Sequence, residues 1–319
     1  MGKTLKERRK NKNENYKNYK THKTNKRYKT IRITRTTRRN NHGGSLIGQG
    51  NFGCVFKPDI TKTDSVNANN DDNVVSKVVL KNNSFSEYRH EYKILKKLRD
   101  IDPKGNFHSL MIDAFDFKNH HIPPDFSKCS LTKPEYTPDE FFIFNIAYCG
   151  KYNLSYYLYR AFDVNKNKKL IPEPSILFTI FTNILVGIKK MISGNILHKT
   201  LDCSSIFLSE PITLENPYCA KIIDYGDGEL RKYKGFNDKN YDYITLFKSI
   251  LNILYQLSRK NDNGYYHKII NQLIHGFEEL LGMLDTNNVS YNELIKRYIL
   301  LLGTTFGKKY SEYASKKYK

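Results

Sequence analysis

The chain has 319 residues, 39% of them hydrophobic and 13% aromatic, enough to bury a substantial core in one two-lobed domain or two small ones. Its net charge of +21 is uneven, because residues 1–42 hold sixteen Lys and Arg against only Glu7 and Glu14. Five cysteines without a CxxC pair argue against a disulfide framework or a zinc ribbon and for a reducing compartment, and the most apolar stretch, Ile176 to Ile192, is too broken by Thr179, Thr182, Asn183, Lys189 and Lys190 for a membrane span.

Residues 1–42 are mostly Lys, Arg, Asn, Thr and Tyr, a composition that cannot offset chain entropy, so a disordered basic tail is expected. It reads either as a solubilising extension or as a nucleic-acid-binding or nuclear-targeting arm. In the second case its cations displace counterions from phosphates while Tyr16, Tyr19 and Tyr28 stack on bases. The first residues lack a signal-peptide run, and Lys6 stands where a myristoylation signal wants Ser or Thr, so no secretion, lipid anchor or membrane partner is expected.

Ordered structure is expected from Gly43-Gly44 onward. Leu46 to Phe56 fits GxGxxGxV over a hairpin, with Ile47, Gly48, Gly50, Gly53 and Val55 at its fixed positions and Phe52 at the tip. Val74 to Leu80 is a β-branched strand containing one lysine, Lys77, which calls for a buried partner. Fourteen residues on, Glu91 lies in a helical pattern over Ser86 to Leu98 whose apolar positions are Tyr88, Tyr92, Leu95 and Leu98. Two polar inserts follow the turns, Thr61 to Asn73 and Lys118 to Glu140; His120, His121 and Cys129 in the second lack a fourth ligand at zinc spacing.

Phe141 to Ile146 reads as a strand leading into Ala147-Tyr148-Cys149-Gly150, and Ile176 to Ile192 as a long buried helix. His198-Lys199-Thr200-Leu201-Asp202-Cys203-Ser204-Ser205 comes next, then Asp224-Tyr225-Gly226 behind an apolar run, then Asp242 at the start of a helical pattern, where it could serve as an N-cap. The remaining apolar spacings, Ile269 through Leu302, predict core helices, and Lys308 to Lys319 a basic frayed end.

In this order the glycine run, strand lysine, helix glutamate, connecting strand, loop and Asp-Tyr-Gly turn resemble a protein kinase-like domain over residues 43–319, similar to kinase-like proteins of large DNA viruses. The resemblance implies an α+β bilobal fold: a small antiparallel-sheet lobe with one helix (43–146) and a larger, mostly helical lobe (147–319). It further implies ATP beneath the glycine run, with Ile146 as gatekeeper and adenine on the backbone near Ala147 and Cys149. A Lys77–Glu91 pair would lie over the α- and β-phosphates, and Mg²⁺ would be held by Asp224 and by Ser205 in the place of an asparagine.

Laid on His-Arg-Asp-Leu-Lys-x-x-Asn, the loop keeps His198 and Leu201 but puts Thr200 where the general base should be and Asp202 where the family has a lysine. A hydroxyl is not basic near neutral pH, and a carboxylate facing the γ-phosphate opposes transfer. Asp202 as a substitute base would have to cross about 6–7 Å of extended backbone. Only seventeen residues separate Asp224 from Asp242, too few for a peptide-docking activation segment, and no Ala-Pro-Glu motif occurs. The expectation is an ATP-binding, catalytically impaired pseudokinase with a scaffolding or regulatory role and a protein partner, in the cytoplasm or nucleus of a host cell or in a virion. The alternatives are an active divergent Ser/Thr kinase using Asp202 and a nucleic-acid-binding protein acting through residues 1–42.

Overall fold

A computed structural model of the chain describes residues 44–50, 53–57, 60, 73–81, 87–117, 125–132, 136–163, 171–231, 236–260, 264–285 and 289–317. The expected tail at 1–42, Phe52 of the glycine run, nearly all of the first polar insert, and His120 and His121 of the second lie outside them.

The fold is α+β. Strands β1 (Ser45–Gln49), β2 (Cys54–Lys57), β3 (Val74–Leu80), β4 (Met111–Asp116) and β5 (Phe141–Ala147) form one antiparallel sheet in the order β1-β2-β3-β5-β4. Central strand β3 is buried on both faces, which explains its nearly unbroken β-branched sequence. Val79 points into the main core, whereas Val78 joins Cys54, Phe56, Ile60, Phe117, Cys129, Phe141 and Ile143 in a separate cluster on the other face.

Helix α1 (Glu87–Ile101) packs on the main-core face through Ile94, Leu95 and Leu98. Tyr88 leans on Phe142 at 5.0 Å, while Tyr92, expected in the buried stripe, is half exposed. After α1 the backbone bonds to the strand Ala220–Ile222, Ile222 N donating to Phe107 O at 2.8 Å and Ser109 N to Ile222 O at 3.1 Å, which ties the sheet to the helical part.

The helical part is built around α3 (Pro174–Ser193), preceded by α2 (Leu154–Ala161) and followed by α4 (Phe236–Lys260), α5 (Tyr265–Asp285), α6 (Tyr291–Phe306) and α7 (Lys308–Lys317). α3 is long and apolar enough to cross a membrane, but 78% of its most apolar window is buried inside the protein: it is the central core helix. Tyrosine does what tryptophan, absent from the chain, cannot. Tyr243 Oη donates to Leu185 O at 2.7 Å and Tyr298 Oη to Phe178 O at 2.5 Å, so two buried rings also satisfy their polar ends on α3.

Three expectations are corrected. Cys54 and Cys129 form a disulfide across 75 residues, against the expectation from the odd cysteine count and the reducing compartment; both are buried, and no local spacing announces the pairing. Lys308 to Lys317 is a helix rather than a frayed end, because Ala314 is buried in the core. Asp242 is no N-cap: α4 begins six residues earlier, at Phe236.

Candidate functional site

Lys77 is placed by β3 and Glu91 by α1, and their side chains meet at 2.7 Å with both residues almost wholly buried. Lys77 Nζ also donates to Asp224 Oδ1 at 3.0 Å, bringing together residues 147 positions apart. Burial pulls the Lys77 ammonium down, but the carboxylates of Asp224 and Glu91 outweigh it and hold the proton on. Burial raises the Glu91 carboxyl above its ordinary value, with Lys77 opposing, while the Lys77 cation first of all holds Asp224 below its own.

Asp224 stands at φ +65°, a left-handed backbone that aspartate tolerates better than most side chains. Its carboxylate remains half exposed, in contrast to that of Glu91. The next residues pack tightly: a Cβ on Gly228 would lie 2.8 Å from Ile94 Cδ1 and 3.1 Å from Tyr225 O, so only glycine lets this turn lie against α1.

The 198–205 loop is fixed from behind. Asp242, fully buried, accepts from His198 N at 2.9 Å and from Lys199 N at 3.0 Å. His198 Nε2 lies 2.9 Å from Ile223 O, a geometry that assigns the ring proton to that nitrogen, and Nδ1 has no partner. Tyr225 lies beneath His198 with its hydroxyl buried and, among the described residues, without a hydrogen-bond partner. Tyr225→Phe is therefore expected to stabilise the protein by about 1–2 kcal/mol in urea unfolding, since it deletes an unsatisfied buried group and keeps the ring. No change, or a loss, would mean that the hydroxyl has a partner.

Asp202 turns into its own loop. Its Oδ1 accepts from Ser204 N at 2.8 Å, Ser204 Oγ at 2.5 Å, Ser205 N at 3.1 Å and Ser205 Oγ at 3.3 Å, capping the 3-10 turn Cys203–Ser205. Thr200, exposed, brings no carboxylate to the front of the loop, and the Ser205 hydroxyl also lies 3.3 Å from Thr200 O.

Sequence reasoning missed a cluster beside the loop. Lys199 Nζ meets Glu229 Oε1 at 2.6 Å and Arg231 Nε meets Glu229 Oε2 at 3.3 Å, across the two-stranded ribbon that pairs Glu229–Leu230 with Ile196–Leu197. These groups are partly exposed, so each pair is worth about 0–1 kcal/mol. Lys199 was legible as a cation, but nothing in the spacing to Glu229 marked the pair.

The glycine positions split. Gly48 and Gly50 would meet nothing within 4 Å if given a Cβ, whereas a Cβ on Gly53 would lie 2.9 Å from Val78 O and 3.2 Å from Lys77 Cε, so the absence of a side chain there lets the hairpin lie close over the lysine. Ile47 is exposed and Val55 half buried. At the expected adenine contact, Ala147 N donates to Leu110 O at 2.9 Å, and Ala147 O accepts from Ser109 Oγ at 2.8 Å and Cys149 Sγ at 3.3 Å. The polar groups of Ala147 are thus engaged within the protein; burial pushes the Cys149 thiol up to about 11, so it stays protonated.

Chemically the site offers one fixed ammonium and one half-exposed carboxylate, groups suited to a phosphate and a hard divalent cation, whereas the Ser205 hydroxyl is engaged by Asp202 in its own loop. Among the described residues no group of three or more His, Cys, Asp or Glu gathers to hold a metal ion by itself. The chain matches no protein-family model and no curated protein sequence.

Proposed function

We propose that residues 43–319 are a bilobal protein kinase-like domain that binds a magnesium nucleotide and is impaired in phosphoryl transfer, acting as a pseudokinase in scaffolding or regulation. The observation that carries the reading is the position of Lys77 between buried Glu91 and half-exposed Asp224. The sheet order β1-β2-β3-β5-β4 and the hold of Asp242 on the 198–205 loop support it.

In this reading Lys77 meets the α- and β-phosphates, Asp224 holds Mg²⁺ and Gly53 permits the close approach of the hairpin. The engaged Ala147 carbonyl leaves adenine to the backbone of the residues that follow. Bound Mg²⁺ would neutralise phosphate charge. Impairment follows from two side chains: Thr200 cannot take the acceptor's proton, a loss of about 10²- to 10⁴-fold, and Asp202 is committed to capping its own turn.

Transfer from γ-labelled ATP to a generic acceptor protein is expected to stay near background for the full chain. Robust transfer that disappears in Asp224→Asn would overturn the impaired reading, and its further loss in Asp202→Asn, with Thr200→Ala unaffected, would favour the enzyme that uses Asp202.

A further inference from the structure

The hairpin β1–β2 is tied down by a segment that lies far from it in sequence. Asp125 to Thr132, folded around the 3-10 turn Phe126–Lys128, reaches the hairpin at three points. The Cys54–Cys129 disulfide is one. Ser130 N donates to Gln49 Oε1 at 3.0 Å, and Leu46 N donates to Asp125 Oδ2 at 3.4 Å. Phe126 seats the segment in the apolar cluster, 5.1 Å from Phe117, 5.2 Å from Phe141 and 6.1 Å from Phe56.

The points of attachment matter because of what lies beside them. Cys54 directly follows Gly53, where an added Cβ would come within 3.2 Å of Lys77 Cε, and Cys54 is paired with Gln49 on one side and Val78 on the other. Whatever fixes Cys54 fixes the height of the hairpin over Lys77. Turns of this kind otherwise move readily, since short glycine-containing hairpins have little to hold them.

We propose that Asp125–Thr132 is a strap whose disulfide sets the nucleotide affinity of the site, so that the oxidation state of Cys54 and Cys129 regulates binding. The proposal rests on the nucleotide reading above. Reduction by a dithiol breaks the S–S bond, the two sulfurs taking two electrons and two protons and the dithiol closing to its own disulfide. Among the described residues the strap then keeps two hydrogen bonds between backbone N–H and side-chain oxygen and the apolar seats of Phe126 and Leu131, and the hairpin samples positions away from Lys77. Both sulfurs are buried, so the exchange waits for local opening and the oxidised state is long-lived.

The test uses the full chain, oxidised or treated with dithiothreitol, with mass-spectrometric counting of alkylated thiols, and Cys54→Ala/Cys129→Ala as a reductant-free counterpart. Mg·ATP affinity is expected to fall about tenfold on reduction, as the binding-competent fraction of the hairpin falls. Amide exchange in residues 45–57 should quicken, with that in α3 unchanged. Equal affinity in both states overturns the proposal and leaves the nucleotide reading standing. No binding in either state removes the nucleotide reading and the regulatory claim with it, and exchange at 45–57 then decides whether the strap itself exists. If the cysteine variant fails to fold, Gln49→Ala/Asp125→Ala, which keeps the disulfide, should speed exchange in the hairpin more weakly; unchanged exchange there counts against the strap.

Discussion

Lys77→Met is expected to lower the unfolding free energy by about 3–5 kcal/mol, because it leaves the Glu91 carboxylate buried without its cation. The companion result is the more telling one. Lys77→Met/Glu91→Leu should recover most of the loss, since desolvating two charges costs about as much as their attraction returns, and an apolar pair of similar size avoids both. The single variant should also respond to pH in a defined direction. Burial already raises the folded-state Glu91 carboxyl, and without Lys77 the remaining influences push it higher. A group raised on folding contributes stability below its unfolded value of about 4.3 and loses it as pH rises through the folded value. Urea midpoints of Lys77→Met should therefore fall between pH 4 and neutrality more steeply than those of the wild type. A single variant as stable as the wild type, with no such slope, would mean that Lys77 and Glu91 are not paired.

Asp242→Ala should cost about 2–5 kcal/mol, because it strands two backbone N–H groups, those of His198 and Lys199, which are buried and partly buried behind the loop. Asp242→Asn keeps one acceptor atom and should fall between the two. The loss should be local as well as global: exchange at residues 196–203, which include the N–H groups that Asp242 accepts from, is expected to rise more than in α5 or α6. Uniform loosening would place Asp242 among ordinary core residues rather than behind the loop.

How much of this was legible in the sequence varied with the range of the interaction. The strand around Lys77 and the helix around Glu91 are set by local periodicity, and each appears at its expected place, as does the helix 174–193. The Lys77–Glu91 contact itself was inferred from a lysine that made no sense alone within an apolar strand. Asp242 was singled out, but its helix start was misjudged because Phe236 to Tyr241 is polar and gives no apolar stripe. The disulfide was not legible, since 75 intervening residues carry no spacing rule, and the odd cysteine count pointed away from it. Asp202 illustrates a further limit: its residue type suggested a substitute base, and only the backbone geometry, with Ser204 and Ser205 turned back on it, gives it a capping role.

The nucleotide reading requires Lys77, Glu91 and Asp224 to act together as a binding site. Its most direct measurement is the thermal midpoint of the oxidised full chain with and without millimolar Mg·ATP, compared with Asp224→Asn, whose side chain is exposed enough to be replaced without emptying the core. A ligand that binds only the native state raises the midpoint by mass action, by several degrees at a concentration about a hundredfold above its Kd. On the nucleotide reading such a shift is expected in the wild type and is lost in Asp224→Asn. No shift in the wild type, or an equal shift in both, would contradict it.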